Sequence, residues 1–247
     1  MKKIFLFAAI SILVSSVNLR AQDEEKNKDK DRVTIVPSGN IITKEVNVTS
    51  FDQLDVNGVF NLLLIQGNKE EVKIEADDNL QPFFEVKNEG SKLIIEMKKD
   101  LNIHNNKEHD KSRMKVYVTF KKLKSMNLKT VGNIQSDASL SFDNLDIDNK
   151  SVGNIDLKLT AQNLNIQNKS VGNVTLDGKA ESAVIKNKGV GSIQAASFVV
   201  QKMDIDNSGI GSAEVNAEKE LKVKDSFMGK VTNKGNATIR RMNKVVI

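Results

Sequence analysis

Six times after Lys121 the chain returns to a short motif built around one glycine: TVGNIQ, SVGNID, SVGNVT, GVGSIQ, GIGSAE and FMGKVT. These are centred on Gly132, Gly153, Gly172, Gly191, Gly211 and Gly229, at intervals of 21, 19, 19, 20 and 18 residues. Self-similarity at a short, nearly constant period marks a solenoid or array, in which each repeat packs only on its neighbours and at least three are needed to bury a core. Helical spacing is sustained nowhere in the chain.

Each column of the repeat has a physical reading. Eight and six residues before the glycine stand Leu145/Ile147, Leu164/Ile166, Ala183/Ile185, Met203/Ile205 and Leu221/Val223. Positions two apart on a strand point the same way, here into the core. Two residues after the glycine stand Ile134, Ile155, Val174, Ile193, Ala213 and Val231, which open a second strand such as IDLKL at 155–159. Two short strands and two turns therefore make one rung, with about 4.8 Å between rungs. Stacking aligns like residues into ladders. The glycines fall where the backbone takes a conformation closed to other residues. Asn149, Asn168, Asn187, Asn207 and Asp225, four before each glycine, form an amide and carboxylate ladder beside the turn. The expected fold is all-β: a parallel β-helix or a flattened two-sheet β-solenoid over 121–247.

Ahead of the repeats, residues 33–120 alternate with period two between turn residues. FDQLDVNGVFNLLLIQG (51–67), EEVKIEADD (70–78), PFFEVKNEG (82–90), KLIIEMKK (92–99) and KVYVTF (115–120) each read as a strand. NEGS at 88–91 reads as a hairpin turn. This N-terminal β region is expected to continue or cap the solenoid within one domain, because a bare end rung would expose apolar core and unpaired edges.

Residues 1–21, MKKIFLFAAISILVSSVNLRA, have a basic start, an apolar run and a small-residue end, the pattern of a secretory signal peptide. Residues 22–32, QDEEKNKDKDR, carry no aliphatic side chain and read as a disordered, charged linker. The whole chain has 37 basic and 32 acidic residues; without Lys2, Lys3 and Arg20 the balance is 34 to 32, a net of +2. Near-neutral charge and export argue against nucleic acid as a partner. No Cys excludes disulfides, thiolate metal sites and a Cys nucleophile, and no Trp with a single Tyr leaves few stacking platforms for sugars. No later stretch is long and apolar enough to span a membrane.

The order and spacing of FDQLDVNGVFNLLLIQGNKEEVKIEADDNL, KLIIEMKK, KVYVTFKKLKSMNL and the VGN-type turns, from about Ile41 to Val231, resemble the autotransporter-adhesin family with a head GIN domain, common in Bacteroidetes. The resemblance implies a right-handed, pectin-lyase-like β superhelix without that fold's catalytic residues. It also implies a role in cell adhesion at the periplasm, outer-membrane surface or outside the cell, a surface glycan or protein as partner, and assembly as trimers. The chain has VGN or VGS where the family often has a Gly-Ser-Gly turn, which bears on the tightness of the turn.

Residues that could carry chemistry are few. Asp146 and Asp148 face outward two apart, roughly 6.6–6.8 Å from one another, near the lower limit for an inverting glycosidase. Asp204 and Asp206 recur three rungs away, too far to cooperate with them. The pair lacks a surrounding Arg or Tyr cluster, so the expectation is no enzyme; a polysaccharide lyase or glycoside hydrolase is the rival, and a structural envelope protein a third reading. His104, Glu108, His109 and Asp110 share one loop and include divalent-metal ligand types, though the segment reads as an exposed connection. Turns carrying Asn or Ser, not Asp, argue against Ca²⁺. Lys150, Lys169 and Lys188 run beside the Asn ladder and read as solubilising charges. No cofactor is expected.

Overall fold

The structure, a computed structural model, describes residues 33–98, 101–104 and 114–242. The expected signal peptide, the 22–32 linker and Glu108, His109 and Asp110 lie outside the described residues. In chain order the strands are β1 (Val33–Ile35), β2 (Ile41–Val46), β3 (Gln53–Gly58), β4 (Asn61–Gln66), β5 (Glu71–Asp77), β6 (Phe84–Glu89), β7 (Lys92–Met97), β8 (Leu101–Ile103) and β9 (Lys115–Phe120). They continue with β10 (Ser125–Thr130), β11 (Ile134–Ser136), β12 (Leu140–Asn149), β13 (Ile155–Asn168), β14 (Val174–Asn187), β15 (Ile193–Asn207), β16 (Ala213–Asp225), β17 (Val231–Asn233) and β18 (Ile239–Arg241).

The repeats form a β-solenoid. Strands β12 to β16 stack in parallel, each pairing with the next. One aliphatic column runs Leu93, Leu54, Met126, Ile147, Ile166, Ile185, Ile205, Val223 through successive registers. A second runs Val116, Leu62, Ile134, Ile155, Val174, Ile193, Ala213, Val231. All of these side chains are buried. The two columns face each other as the core, and their burial supplies the stabilisation that orders otherwise marginal short strands.

The rung differs from two separate short strands. Residues 155–168 remain one strand through both faces. The inward alternation changes phase at Gln162 and Asn163, two consecutive exposed residues, where the strand bends around the core. From β13 to β16 the break in each rung is the glycine turn, whereas β11 and β12, and β17 and β18, remain separate strands. Likewise 51–67 is not one strand: it divides into β3 and β4 around Gly58, Val59 and Phe60, a turn equivalent to the later VGN turns.

The order of rungs in space is not their order in the chain. β3 pairs in parallel with both β7 and β10, and β4 with both β9 and β11. The rung formed by β3 and β4 is thus enclosed between two rungs that follow it in the sequence. Beyond β7 and β9 the stack changes to antiparallel pairing: β6 closes β7, while β5 and then β2 close β9. The Gly90 turn, at φ 60°, makes the β6–β7 hairpin. β2 presents four consecutive exposed residues, including Lys44 and Glu45, and such a charged edge disfavours further strand addition.

Candidate functional site

Three surfaces carry the residues singled out by sequence: the glycine-turn edge, the sheet face of Asp146 and Asp148, and the segment around His104.

At the turn edge, Gly132, Gly153, Gly172, Gly191 and Gly211 have φ of 152°, 138°, 140°, 132° and 126°. Gly153 shows why no other residue serves. Its φ disfavours any L side chain, and a Cβ there would overlap the carbonyl oxygen of Gly132 in the adjacent rung. Gly229 departs from the pattern: it lacks the positive φ, and its N–H closes a turn onto the Ser226 carbonyl at 3.1 Å. Close approach still constrains it, since a Cβ would overlap the Asn207 carbonyl oxygen.

The amides four residues before the glycines form a continuous buried chain. Asn149 Nδ2 donates to Asn168 Oδ1 at 2.7 Å, Asn168 Nδ2 to Asn187 Oδ1 at 2.8 Å, and Asn187 Nδ2 to Asn207 Oδ1 at 2.7 Å. Exposure is 0, 3, 0 and 0% along this series, so the ladder belongs to the core and offers nothing to a partner. The first three oxygens also serve their own turns: Asn149 Oδ1 accepts from the Ser151 N–H, Asn168 Oδ1 from the Ser170 hydroxyl, and Asn187 Oδ1 from the Gly189 N–H. Asp225 is in register with Asn207 but takes no part in the amide chain. Asn207 Nδ2 donates instead to the carbonyls of Gly211 and Gly229, while Asp225 meets Arg241. A carboxylate there could accept, but the Asn207 amide gives its hydrogens to these two carbonyls, so the ladder ends at Asn207.

Two further columns lie on this edge. The residues after the glycines form a second amide ladder: Asn133 Oδ1 accepts from the Asn154 N–H, Asn154 Oδ1 from the Asn173 N–H, and Asn173 Oδ1 from the Ser192 N–H, at 2.9–3.0 Å. The residues before the glycines, Val131, Val152, Val171, Val190 and Ile210, align bridge to bridge with their side chains in solvent. Both signals were present in the VGN motif; the alternation rule could not place them, because turn residues obey no period-two facing.

On the sheet face, Asp146 and Asp148 line an open depression of about 320 Å³ with Gln53, Asp55, Lys92, Ser125, Asn127, Asn165 and Gln167. Asp146 Oδ1 accepts from Asn165 Nδ2 at 2.8 Å, and Asp148 Oδ2 pairs with Lys150 at 2.7 Å. Asn127 Nδ2 donates to Asp55 Oδ2 at 2.9 Å across the enclosed rung. Asp206, three rungs on, pairs with Lys224 at 2.7 Å. All of these except the Asp148–Lys150 pair join neighbouring rungs, so the face carries outward polar columns along the stack.

His104 is exposed, and its backbone N–H donates to the Ile35 carbonyl at 2.9 Å, tying β8 to β1. Among the described residues no three His, Cys, Asp or Glu side chains are placed to hold a metal ion. No described helix is long and apolar enough to cross a membrane.

The overall fold recurs in known proteins. Residues 50–237 match the family described as "Putative auto-transporter adhesin, head GIN domain". The chain belongs to this family. A Bacteroides fragilis structure described as a putative adhesin is similar at 31% identity and a TM-score of 0.71, covering 84% of this chain and all of its own. A putative lipid binding protein from Parabacteroides distasonis (17% identity, TM-score 0.57, 85% of this chain and 100% of that one) shares the fold. So does a putative adhesin from Parabacteroides merdae (17%, TM-score 0.52, 85% and 99%). Among curated proteins there is no match. Membership of the head GIN adhesin family fits a surface protein, and the similar solved structures share the overall fold.

Proposed function

We propose that the chain is an exported, non-catalytic binding protein of the cell envelope or cell surface, an adhesin-like module whose ligand is a surface glycan or protein met by the outward columns of the solenoid. One observation carries this reading: the polar side chains of the accessible sheet face are held around a shallow, open depression, across rungs at Asp55–Asn127 and Asp146–Asn165 and within a rung at Asp148–Lys150. Asp146 is held by Asn165 and Asp148 by Lys150, so each carboxylate is an anchored acceptor. Amides and carboxylates repeated at the rung spacing offer many weak, directional contacts to a hydroxyl-rich or polar surface. A catalytic cleft has the opposite design, with a few convergent groups secluded from water. Family membership and the basic, apolar start of the chain support the exported location.

The test is an array of glycans and matrix proteins probed with the purified protein. Binding to at least one class, weakened when Gln53, Asn127 and Gln167 are replaced together by Ala, is the expected result. Absence of binding, or release of products from polysaccharides that stops in Asp148→Asn, would sink the reading.

A further inference from the structure

Val131, Val152, Val171, Val190 and Ile210 expose 50, 50, 53, 47 and 49% of their surface in an unbroken column on the narrow edge of the solenoid. Met228, whose carbonyl accepts from the Gly211 N–H as Ile210's does from Gly191, extends the column, and Phe227 beside it is fully exposed. At about 4.8 Å per rung the five aliphatic residues span about 19 Å. Each is followed by a glycine, so nothing stands above the backbone on that side. A solubility-driven surface would not repeat an aliphatic side chain at the same exposed turn position in every rung, and a contiguous patch of several hundred Å² marks an interaction site.

We propose that this column is an interface with a second copy of the chain, docked side by side with the two solenoids parallel and their valine columns in register. Three features select that occupant. First, the column repeats at the rung spacing, and a partner that meets every residue along it must repeat at the same spacing, as a second stack of these rungs does. Second, the edge has no free strand to offer: Val152 N–H donates to Thr130 O and Gly153 N–H to Val171 O, so contact is through side chains. A column one residue wide, bordered by polar ladders, interlocks with another such column better than it enters a bilayer. Third, charge fixes the orientation. Exposed Lys129, Lys150, Lys169 and Lys188 border the column on one side. On the other side lie Asn133, Asn154 and Asn173, backed by the exposed carboxylates of Asp156 and Glu214. A two-fold axis along the solenoid sets the lysine border of one copy against the amide and carboxylate border of the other. An antiparallel arrangement would set lysines against lysines.

Light scattering of the purified protein is expected to give the mass of two chains, falling to one on dilution. Val152→Glu combined with Val190→Glu is expected to weaken association more than about a hundredfold, by burying unpaired like charges, with far-ultraviolet circular dichroism and melting unchanged. Orientation is read from single Val131→Cys, Val171→Cys and Ile210→Cys variants, informative because the chain has no Cys of its own. A parallel pair brings every position to its own counterpart, so all three cross-link on mild oxidation; an antiparallel pair cross-links through Val171→Cys alone. A monomer at all concentrations, the mass of three chains that the family resemblance implies, a dimer indifferent to the double Glu variant, or cross-linking at position 171 only would overturn the proposal. Co-sedimentation of a monomeric protein with phosphatidylglycerol vesicles, lost in the double Glu variant, would overturn it in favour of a lipid surface.

Discussion

The side-chain amide of Asn168 donates to Oδ1 of Asn187, 19 residues later in the chain and one rung further along, with both residues buried. Asn168 Oδ1 in turn accepts from Asn149 Nδ2 and from the Ser170 hydroxyl. Asn168→Ala removes a link from the middle of this chain and leaves the buried Asn149 amide and the Ser170 hydroxyl without their acceptor, while Asn187 Oδ1 keeps only the Gly189 N–H. A loss of about 2–3 kcal/mol is expected in denaturant unfolding, since stranded buried polar groups, not the bonds themselves, dominate such losses. Nearest-neighbour coupling in a solenoid makes the interior position sensitive, and a wild-type midpoint would show that the ladder is ornamental.

Two glycines separate backbone strain from stacking. Gly90, at φ 60° in the β6–β7 turn, has nothing within 4 Å of where a Cβ would stand. Gly90→Ala is expected to lose only about 1–2 kcal/mol, the left-handed penalty. Gly153→Ala adds an overlap with the Gly132 carbonyl oxygen, which the parallel ladder prevents from moving. A loss of at least about 3 kcal/mol, or no soluble protein, is expected. Equal melting points for the two variants would contradict this account.

Glu75, Lys115 and Tyr117 fasten the cap to the stack. Lys115 Nζ lies 2.9 Å from Glu75 Oε1, and the Tyr117 hydroxyl donates to Oε2 at 3.0 Å. The Lys115 hydrogen bond holds the Glu75 carboxyl below its ordinary range despite some burial. Because the folded pKa is depressed, the stabilisation is fully present above the unfolded Glu range and fades as pH falls through the folded value. Glu75→Gln should therefore lower stability at neutral pH, by less than about 1 kcal/mol for so accessible a pair, and flatten the acid limb of the profile.

Burial first, and then the bond to Glu75, push the Tyr117 phenol above its usual range. As this is the only Tyr and there is no Trp, phenolate absorbance reports it alone. Titration of the folded protein should run later than free tyrosine, and Glu75→Gln should bring it part of the way back. Superimposable curves for the two proteins would remove the hydrogen bond from the account.

On the sheet face, Asp148→Asn breaks a pair whose side chains are both about two-fifths exposed. Stability is expected to stay within about 0.5 kcal/mol of the parent by thermal melting. A larger loss would make Asp148 a structural residue of the rung.

Much of this was legible from residue order. The glycine period gave the turns, and Leu145, Ile147 and Ile155 with their repeats gave the core columns, because stacked rungs force like residues into register. The alternating strands ahead of the repeats were visible as well. Less legible was the fate of polar residues at the turn. Alternation continues from Ile147 inward to Asn149, but an amide two residues past the core column looks like a surface residue until its neighbour in the next rung is seen to satisfy it. The exposed valines carried the opposite ambiguity, since an aliphatic side chain in every repeat reads as core by composition.

By itself, the sequence determined the solenoid and its rung length, since period and facing are properties of the chain. Only the tertiary structure decided the order of the rungs. Asn127 donates to Asp55 across 72 residues of sequence, and the β3–β4 rung lies between β7–β9 and β10–β11. Parallel pairing is set by matching columns and closed ends in space: Leu54 lies between Leu93 and Met126, and any aliphatic residue of the column would match it as well. Which order is realised depends on where the antiparallel cap of β2, β5 and β6 can close the stack; the 88–91 turn marks the β6–β7 hairpin locally, but the pairing of β2 and β5 onto β9 joins segments distant in the chain.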